Sequence, residues 1–235
     1  MSGGEDLLSL RLCLSPAEFI DSDDPAIGEM AATVAGSAGS VVDKVRLLFA
    51  AVRDDIQYDP YVDYTNPEVF RASNVLSARR GYCVGKAALY AALCRAIGVP
   101  ARLGLADVKN HLATPRLMAA VGGDLFAYHG YVEVRVEHRW FKASPTFNAS
   151  LCARFSVPPL EFSGREDALL QAYNSNGRAF MNYVTDHGTF FDVPTKFLQA
   201  EMKRLYPVLC QPGGLGGRSM EVEVTRGSSS MPTSR

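Results

Sequence analysis

The sequence predicts an α+β fold, and three segments carry the prediction. Residues 84–97, rich in alanine and leucine, read as a helix set directly behind Gly81-Tyr82-Cys83 and closed by Gly98 and Pro100. Val132, Val134 and Val136 alternate with Tyr131, Glu133 and Arg135, the period-two pattern of a strand, and Trp140 to Pro145 reads as the returning strand of a hairpin. Val42, Val45, Leu48, Phe49 and Val52 recur at spacings of three and four, which gives residues 41–55 one apolar helical face. With 235 residues and 47% hydrophobic content, the chain can bury one substantial core.

Taken in order, residues 5–20 carry leucines at alternating positions and read as a strand that ends near Ser15-Pro16. Asp24-Pro25 has the form of a helix cap and first turn. Ser37 to Ser40 breaks the chain before the helix of residues 41–55. Tyr58 to Tyr64 is either a loop at the mouth of a site or a surface turn with packed tyrosines. Residues 101–108 form the strand after the Cys helix, followed by Lys109-Asn110-His111. Further on, Arg165 to Tyr173 is helix-like, Phe180 to Phe191 is aromatic-rich, and a helix runs roughly from Thr195 to Leu205. From Gln211 the chain is rich in Gly, Ser and Pro and reads as a flexible tail, with residues 220–225 as a candidate short strand. The expected division is an N-terminal segment 1–40, a core 41–150, an extension 151–210 packed on it, and the tail 211–235.

Cys83 is the candidate nucleophile. At a helix N-terminus, unpaired N–H groups and the helix dipole favour an anion, which lowers a thiol pKa and exposes the reactive thiolate. The candidate base lies on the hairpin. With Glu137-His138 as a two-residue turn, His129 faces Thr146 and Ser144 faces Tyr131. His129, Ser144 and Thr146 then share one face of the sheet, and Asn148 has the same parity. A hydroxyl or amide neighbour can hold the imidazole in one tautomer. His111 is a second candidate histidine, and Asp186-His187 is a possible acid–base pair or simply a turn before Gly188.

Cys at a helix start, then His on a strand, then a polar residue on the next strand, resembles the transglutaminase-like cysteine enzymes. Ser40-Val41 through Tyr58-Asp59-Pro60 is similar to that family's leading helix and its Tyr-Asp corner. Ala72 to Cys83 is similar to its approach to the nucleophile, and Arg95 to Arg102 to its helix exit and next strand, so residues 41–148 follow the family's order. The resemblance implies a papain-like core in which the Cys-bearing helix packs on an antiparallel sheet, with Cys83 as nucleophile and His129 as base. The family usually has Asp-Pro-Thr on the strand after the histidine, and here the triplet is Ser144-Pro145-Thr146. Asn148 is the expected substitute, since an amide oxygen can accept the imidazole N–H. Ser144 and Thr146 are the alternatives.

The function expected is cysteine-dependent acyl chemistry on a peptide, protein or small amide or thioester, through a Cys83 thioacyl intermediate. Hydrolysis is favoured over transfer to an amine, because no acceptor signature is visible. The rival is a non-catalytic binding module that keeps the fold and has lost the acidic triad member.

Other classes find little support. The formal charge is −1, with 24 basic and 25 acidic residues interspersed, so no basic stripe marks a nucleic-acid partner. No apolar run approaches membrane-spanning length, and Met1 to Asp6 lacks the basic-then-apolar order of a signal peptide. Five scattered cysteines point to reduced thiols and a cytoplasmic setting. Cys83 and Cys94 lie about 16 Å apart along a helix, too far to share a metal. No phosphate-binding loop or dinucleotide fingerprint occurs, and no cofactor is implied.

Overall fold

The computed structural model describes residues 7–110, 113–169, 181–217 and 219–227. Helices α1 (Leu7–Leu12), α2 (Pro25–Ala35) and α3 (Val41–Asp55) lead into the short strand β1 (Gln57–Tyr58). Helix α4 (Ala72–Ala78), strand β2 (Arg80–Gly81) and helix α5 (Cys83–Ala96) follow. Then come β3 (Ala101–Asn110), α6 (Pro115–Val121), β4 (Leu125–Val136), β5 (Arg139–Ala143) and α7 (Ala149–Arg154). Strand β6 (Met181–Phe190) and helices α8 (Thr195–Leu205) and α9 (Met220–Gly227) complete the chain.

Local chemistry sets the helix starts. The Asp24 carboxylate caps α2, whose first residue is Pro25, and the Ser40 hydroxyl caps α3. Helix α5 is different. It is buried on every side from Val84 to Arg95, with small alanines letting neighbours approach, and no side chain caps its N-terminus. It packs against α2, α3, α4, β3 and β4 and forms the centre of the molecule. Tyr90 in α5 meets Phe49 in α3 edge to face at 5.7 Å, and Phe49 also touches Phe162. Removing such a fully buried ring costs about 3–5 kcal/mol. Lys86, also on α5, is wholly buried and donates to the Arg53 and Ile56 carbonyls at the end of α3, at 3.0 and 2.5 Å. Burial without an acid in contact pushes its pKa down to about 7.

The sheet has the order β5-β4-β3-β6 and is antiparallel throughout. The hairpin register matches the expected one, with Val136 opposite Arg139 and Val132 opposite Ala143. Glu137 and His138 both take positive φ, 48° and 69°, as a two-residue turn between twisted strands demands. Val132, Val134 and Val136 are buried, so the apolar face of the alternation packs inward.

Three expectations need correction. The leucine alternation near the N-terminus is helix α1, not a strand: Leu7, Leu8, Leu12 and Leu14 stay exposed, with no sheet face to cover them. The candidate strand at 220–225 lies in helix α9, anchored by buried Met220 and by two acids. Glu221 accepts from Gln57 Nε2 at 2.6 Å, and Glu223 accepts from the Tyr61 hydroxyl at 2.7 Å. Composition alone had placed these residues in a flexible tail, because two acids with distant partners look like two solvated acids in a sequence. Residues 165–169 are not helical, and Ala168 bridges to Ala143 beside the sheet. Residues 170–173 of that candidate helix, residues 228–235 of the tail, and His111 lie outside the described residues.

Candidate active site

The uncapped start of α5 points at the sheet. Cys83 is its first residue, and β4 crosses in front of it at Gly130. A Cβ added to Gly130 would sit 2.7 Å from the Val84 Cα, 2.9 Å from the Val84 nitrogen and 3.1 Å from the Cys83 carbonyl carbon. The strand therefore runs backbone to backbone against the first turn of the helix, which only glycine permits. His129, one residue earlier, lines the same cavity as Cys83.

A β-bulge aims the histidine. The β3–β4 register shifts between Ala106 and Val108, where Ala106 faces His129 and Val108 faces Phe126. Tyr128 takes a left-handed conformation at φ 59°, unusual for a bulky residue, and its N–H donates to Asp107 Oδ1 at 3.1 Å. The bulge turns the His129 ring inward, where only 5% of the residue is exposed.

His129 Nε2 lies 3.2 Å from the Ser144 hydroxyl, which in turn lies 3.0 Å from the Thr146 hydroxyl. That bond leaves Nδ1 as the ring nitrogen not engaged by Ser144. Asn148, the expected orienter, is engaged elsewhere. Its Oδ1 accepts the Tyr58 N–H at 3.0 Å, and its Nδ2 donates to Ser150 at 2.7 Å and to Glu221 at 3.3 Å. The alternation that put Asn148 on the histidine's face ends with β5 at Ala143, before Pro145, so parity no longer holds by residue 148.

Electrostatics also depart from the expectation of a lowered thiol pKa. Burial pushes Cys83 up to about 11, against the backbone N–H groups of Gly130, Val84 and Cys83 itself, which favour the thiolate. Burial pushes His129 down to about 3. Both shifts favour the uncharged forms, a thiol and an imidazole. The helix terminus supplies N–H donors, as expected, but desolvation outweighs them.

Around this pair is a partly enclosed cavity of about 50 Å3. Tyr58, Pro60 and Tyr64 line it, so three members of the Tyr58–Tyr64 segment stand at the site. Sequence reasoning missed Gly130, Asp107 and Tyr206. The first had a visible signal, a glycine directly after the candidate histidine. The other two are defined only by contacts between distant segments. His187 pairs with Asp107 at 2.7 Å rather than with Asp186, and Asp186 accepts from Lys142 at 2.7 Å and from the Tyr131 hydroxyl at 3.0 Å. None of the five cysteines forms a disulfide. Among the described residues, no cluster of three His, Cys, Asp or Glu side chains could hold a metal ion, and no helix is long and apolar enough to cross a membrane.

Residues 28–145, half of the chain, match the model of the transglutaminase-like superfamily. No curated protein matches the chain. Among solved structures, a candidate cysteine protease from Cytophaga hutchinsonii is similar at 19% identity and a TM-score of 0.50, over 81% of this chain and 50% of that one. A candidate protease from Parabacteroides distasonis gives 15% identity and a TM-score of 0.40 over 57% and 26% of the two chains. A protein described as a TGase gives 22% identity and a TM-score of 0.37 over 55% and 32%. The first of these supports the fold, and this chain spans half of that relative's length.

Proposed function

The chain belongs to the transglutaminase-like superfamily, and on that premise we propose that it performs cysteine-dependent acyl chemistry through Cys83. The observation that carries the reading is a single cavity lined by both Cys83 and His129, with β4 locked onto the helix start at Gly130. The Cys83 sulfur attacks the carbonyl of a peptide, small amide or thioester. His129, neutral at physiological pH, takes the thiol proton as the bond forms and returns it to the leaving group. Backbone N–H groups at the uncapped first turn of α5 receive the oxyanion, a contribution of about 3 kcal/mol per well-aimed donor. Water then releases the acyl group. Hydrolysis is favoured over transfer because the sequence carries no signature of an amine-acceptor site. Five cysteines without a disulfide fit a cytoplasmic setting.

p-Nitrophenyl acetate tests the reading. Wild-type protein gives a burst of p-nitrophenol and an acetyl adduct on Cys83 by peptide mass spectrometry. Cys83→Ala and His129→Ala each lose turnover by about three orders of magnitude or more, and the double variant is no worse than either alone. Additive losses would mean that the two residues do not share a step. Wild-type protein with neither burst nor adduct would favour the non-catalytic module, which the lack of a carboxylate against His129 otherwise supports.

A further inference from the structure

We propose, resting on the Cys83 reading above, that the cavity selects a short, uncharged, apolar acyl group and that Leu198 and Met202 set its length. The first support is the chemistry of the walls. Among the described residues, no Asp, Glu, Lys or Arg lines the cavity, and its polar groups are Cys83, His129, Asn110 and tyrosines. A carboxylate or ammonium on the acyl group would lose its water and meet no opposite charge.

The second support is size. A volume of about 50 Å3, at roughly 10–15 Å3 for each water-sized group, holds about four non-hydrogen atoms. That suits a butyryl-sized chain and is too small for an octanoyl chain or a large peptide side chain.

The third support is where the roof comes from. Cys83, His129, Tyr58 and Tyr82 lie within the residues matched to the superfamily, whereas Leu198, Met202 and Leu209 lie beyond them. The roof belongs to this chain's own extension, and it is tied down on both sides. The Tyr206 hydroxyl accepts the Ala127 N–H at 2.6 Å and donates to the Leu125 carbonyl at 3.2 Å, two and four residues ahead of His129. Gln199 donates to the Thr65 carbonyl at 3.0 Å, and the Tyr128 hydroxyl donates to Glu201 at 2.9 Å. Leu198 and Met202 are one helical turn apart, buried, and facing the cavity between those ties. A roof held this way limits chain length rather than folding aside for any donor.

The step is a thioester exchange. The Cys83 S–H adds to the acyl carbonyl and its proton passes to His129. The carbonyl–sulfur bond of the donor breaks, and the imidazolium proton goes to the departing thiolate.

The full chain is incubated with butyryl, octanoyl and succinyl thioesters of N-acetylcysteamine, and acylation of Cys83 is followed by mass spectrometry. Butyryl should react about a hundredfold or more faster than succinyl, whose chain is of similar length but charged. Octanoyl should be at least about tenfold slower than butyryl. Met202→Ala and Leu198→Ala should each recover octanoyl while leaving succinyl slow, and Met202→Lys should raise succinyl. Succinyl or octanoyl reacting as fast as butyryl in the wild type overturns the inference alone, and needs no variant to fold. Silence with every donor overturns the Cys83 reading and this inference together.

Discussion

The dipeptide His-Gly occurs at His129-Gly130 and at His187-Gly188, on the two strands that flank β3, and the two copies have opposite surroundings. His187 keeps partial contact with solvent, pairs with Asp107 at 2.7 Å and stacks on Tyr128 with ring centres 4.8 Å apart. His129 is buried, and the nearest partner of its ring is the Ser144 hydroxyl. The glycines differ in the same way. Gly188 has open space around its Cα and serves a positive φ of 83°, whereas Gly130 is pressed against the backbone of the Cys helix. By the usual sign of an acid–base pair, the histidine with the carboxylate would be the catalytic one. The reading proposed above takes the other: His129 shares a cavity with Cys83, its neighbour Gly130 is pressed against the start of the Cys helix, and Asp107 accepts the Tyr128 N–H at the bulge just before it.

Gly130→Ala breaks this contrast most directly. The new methyl cannot fit at 2.7 Å from the Val84 Cα, so the strand must move off the helix start and carry His129 with it. A displacement of about 1 Å at a reacting pair lowers a rate by about a hundredfold. Acetylation of Cys83 by p-nitrophenyl acetate should fall by that much or more. Gly188→Ala, strained by its positive φ but touching nothing, should cost about 1 kcal/mol of stability and leave the rate within about twofold. Equal effects on rate from the two substitutions would sink the assignment of His129.

The burial of His129 sharpens the comparison. The folded-state pKa of His129 is depressed to about 3, below its ordinary value near 6.5. Between these values the unfolded chain binds a proton that the native site refuses. Stability from the neutral imidazole is therefore complete above about pH 6.5 and declines as pH falls toward 3. The loss amounts to about 2 kcal/mol by pH 5. Urea unfolding from pH 7 to 5 should show this decline in the wild type and a flatter profile in His129→Gln. If His129→Gln keeps the full slope, the histidine is not titrating from a dry site.

Much of this was legible in the sequence. The capped helix at 41–55, the helix behind Cys83 and the hairpin register all follow from local signals, because periodicity, caps and turn length act within a few residues. Cys83 and His129 stood out as candidates from the same local signals, and both line one cavity. What escaped depends on pairings between distant segments. Strand β6 lacks a clean alternation because one face is largely exposed and its register slips twice against β3. Asp107 acquires its role only when β3 and β4 form the bulge, and Tyr206 only when the extension folds over β4. Asn148 was misjudged because parity was carried past the end of a strand. The raised Cys83 pKa was missed because burial, unlike helix position, cannot be counted along a chain.

The smallest effect separates Ser144 from Asn148, the two claimants for the orienting role. Ser144 is a neutral partner at 3.2 Å, with its own hydroxyl held by Thr146, so it fixes the ring without stabilising imidazolium as a carboxylate would. Ser144→Ala should therefore lower acylation by only about tenfold, the value of one modest hydrogen bond. Asn148→Ala leaves the Tyr58 N–H without its acceptor and should cost about 1–2 kcal/mol of stability, with little change in the pH–rate profile of the folded protein. Ser144→Asp is the informative third variant. A carboxylate against His129 raises the imidazole pKa, and because the protonated ring cannot serve as base, the acid limb of the rate should move to higher pH. The same charge should draw the thiol proton onto the ring and speed alkylation of Cys83 by iodoacetamide. An acid limb that stays in place in Ser144→Asp while shifting in Asn148→Ala would return the orienting role to Asn148.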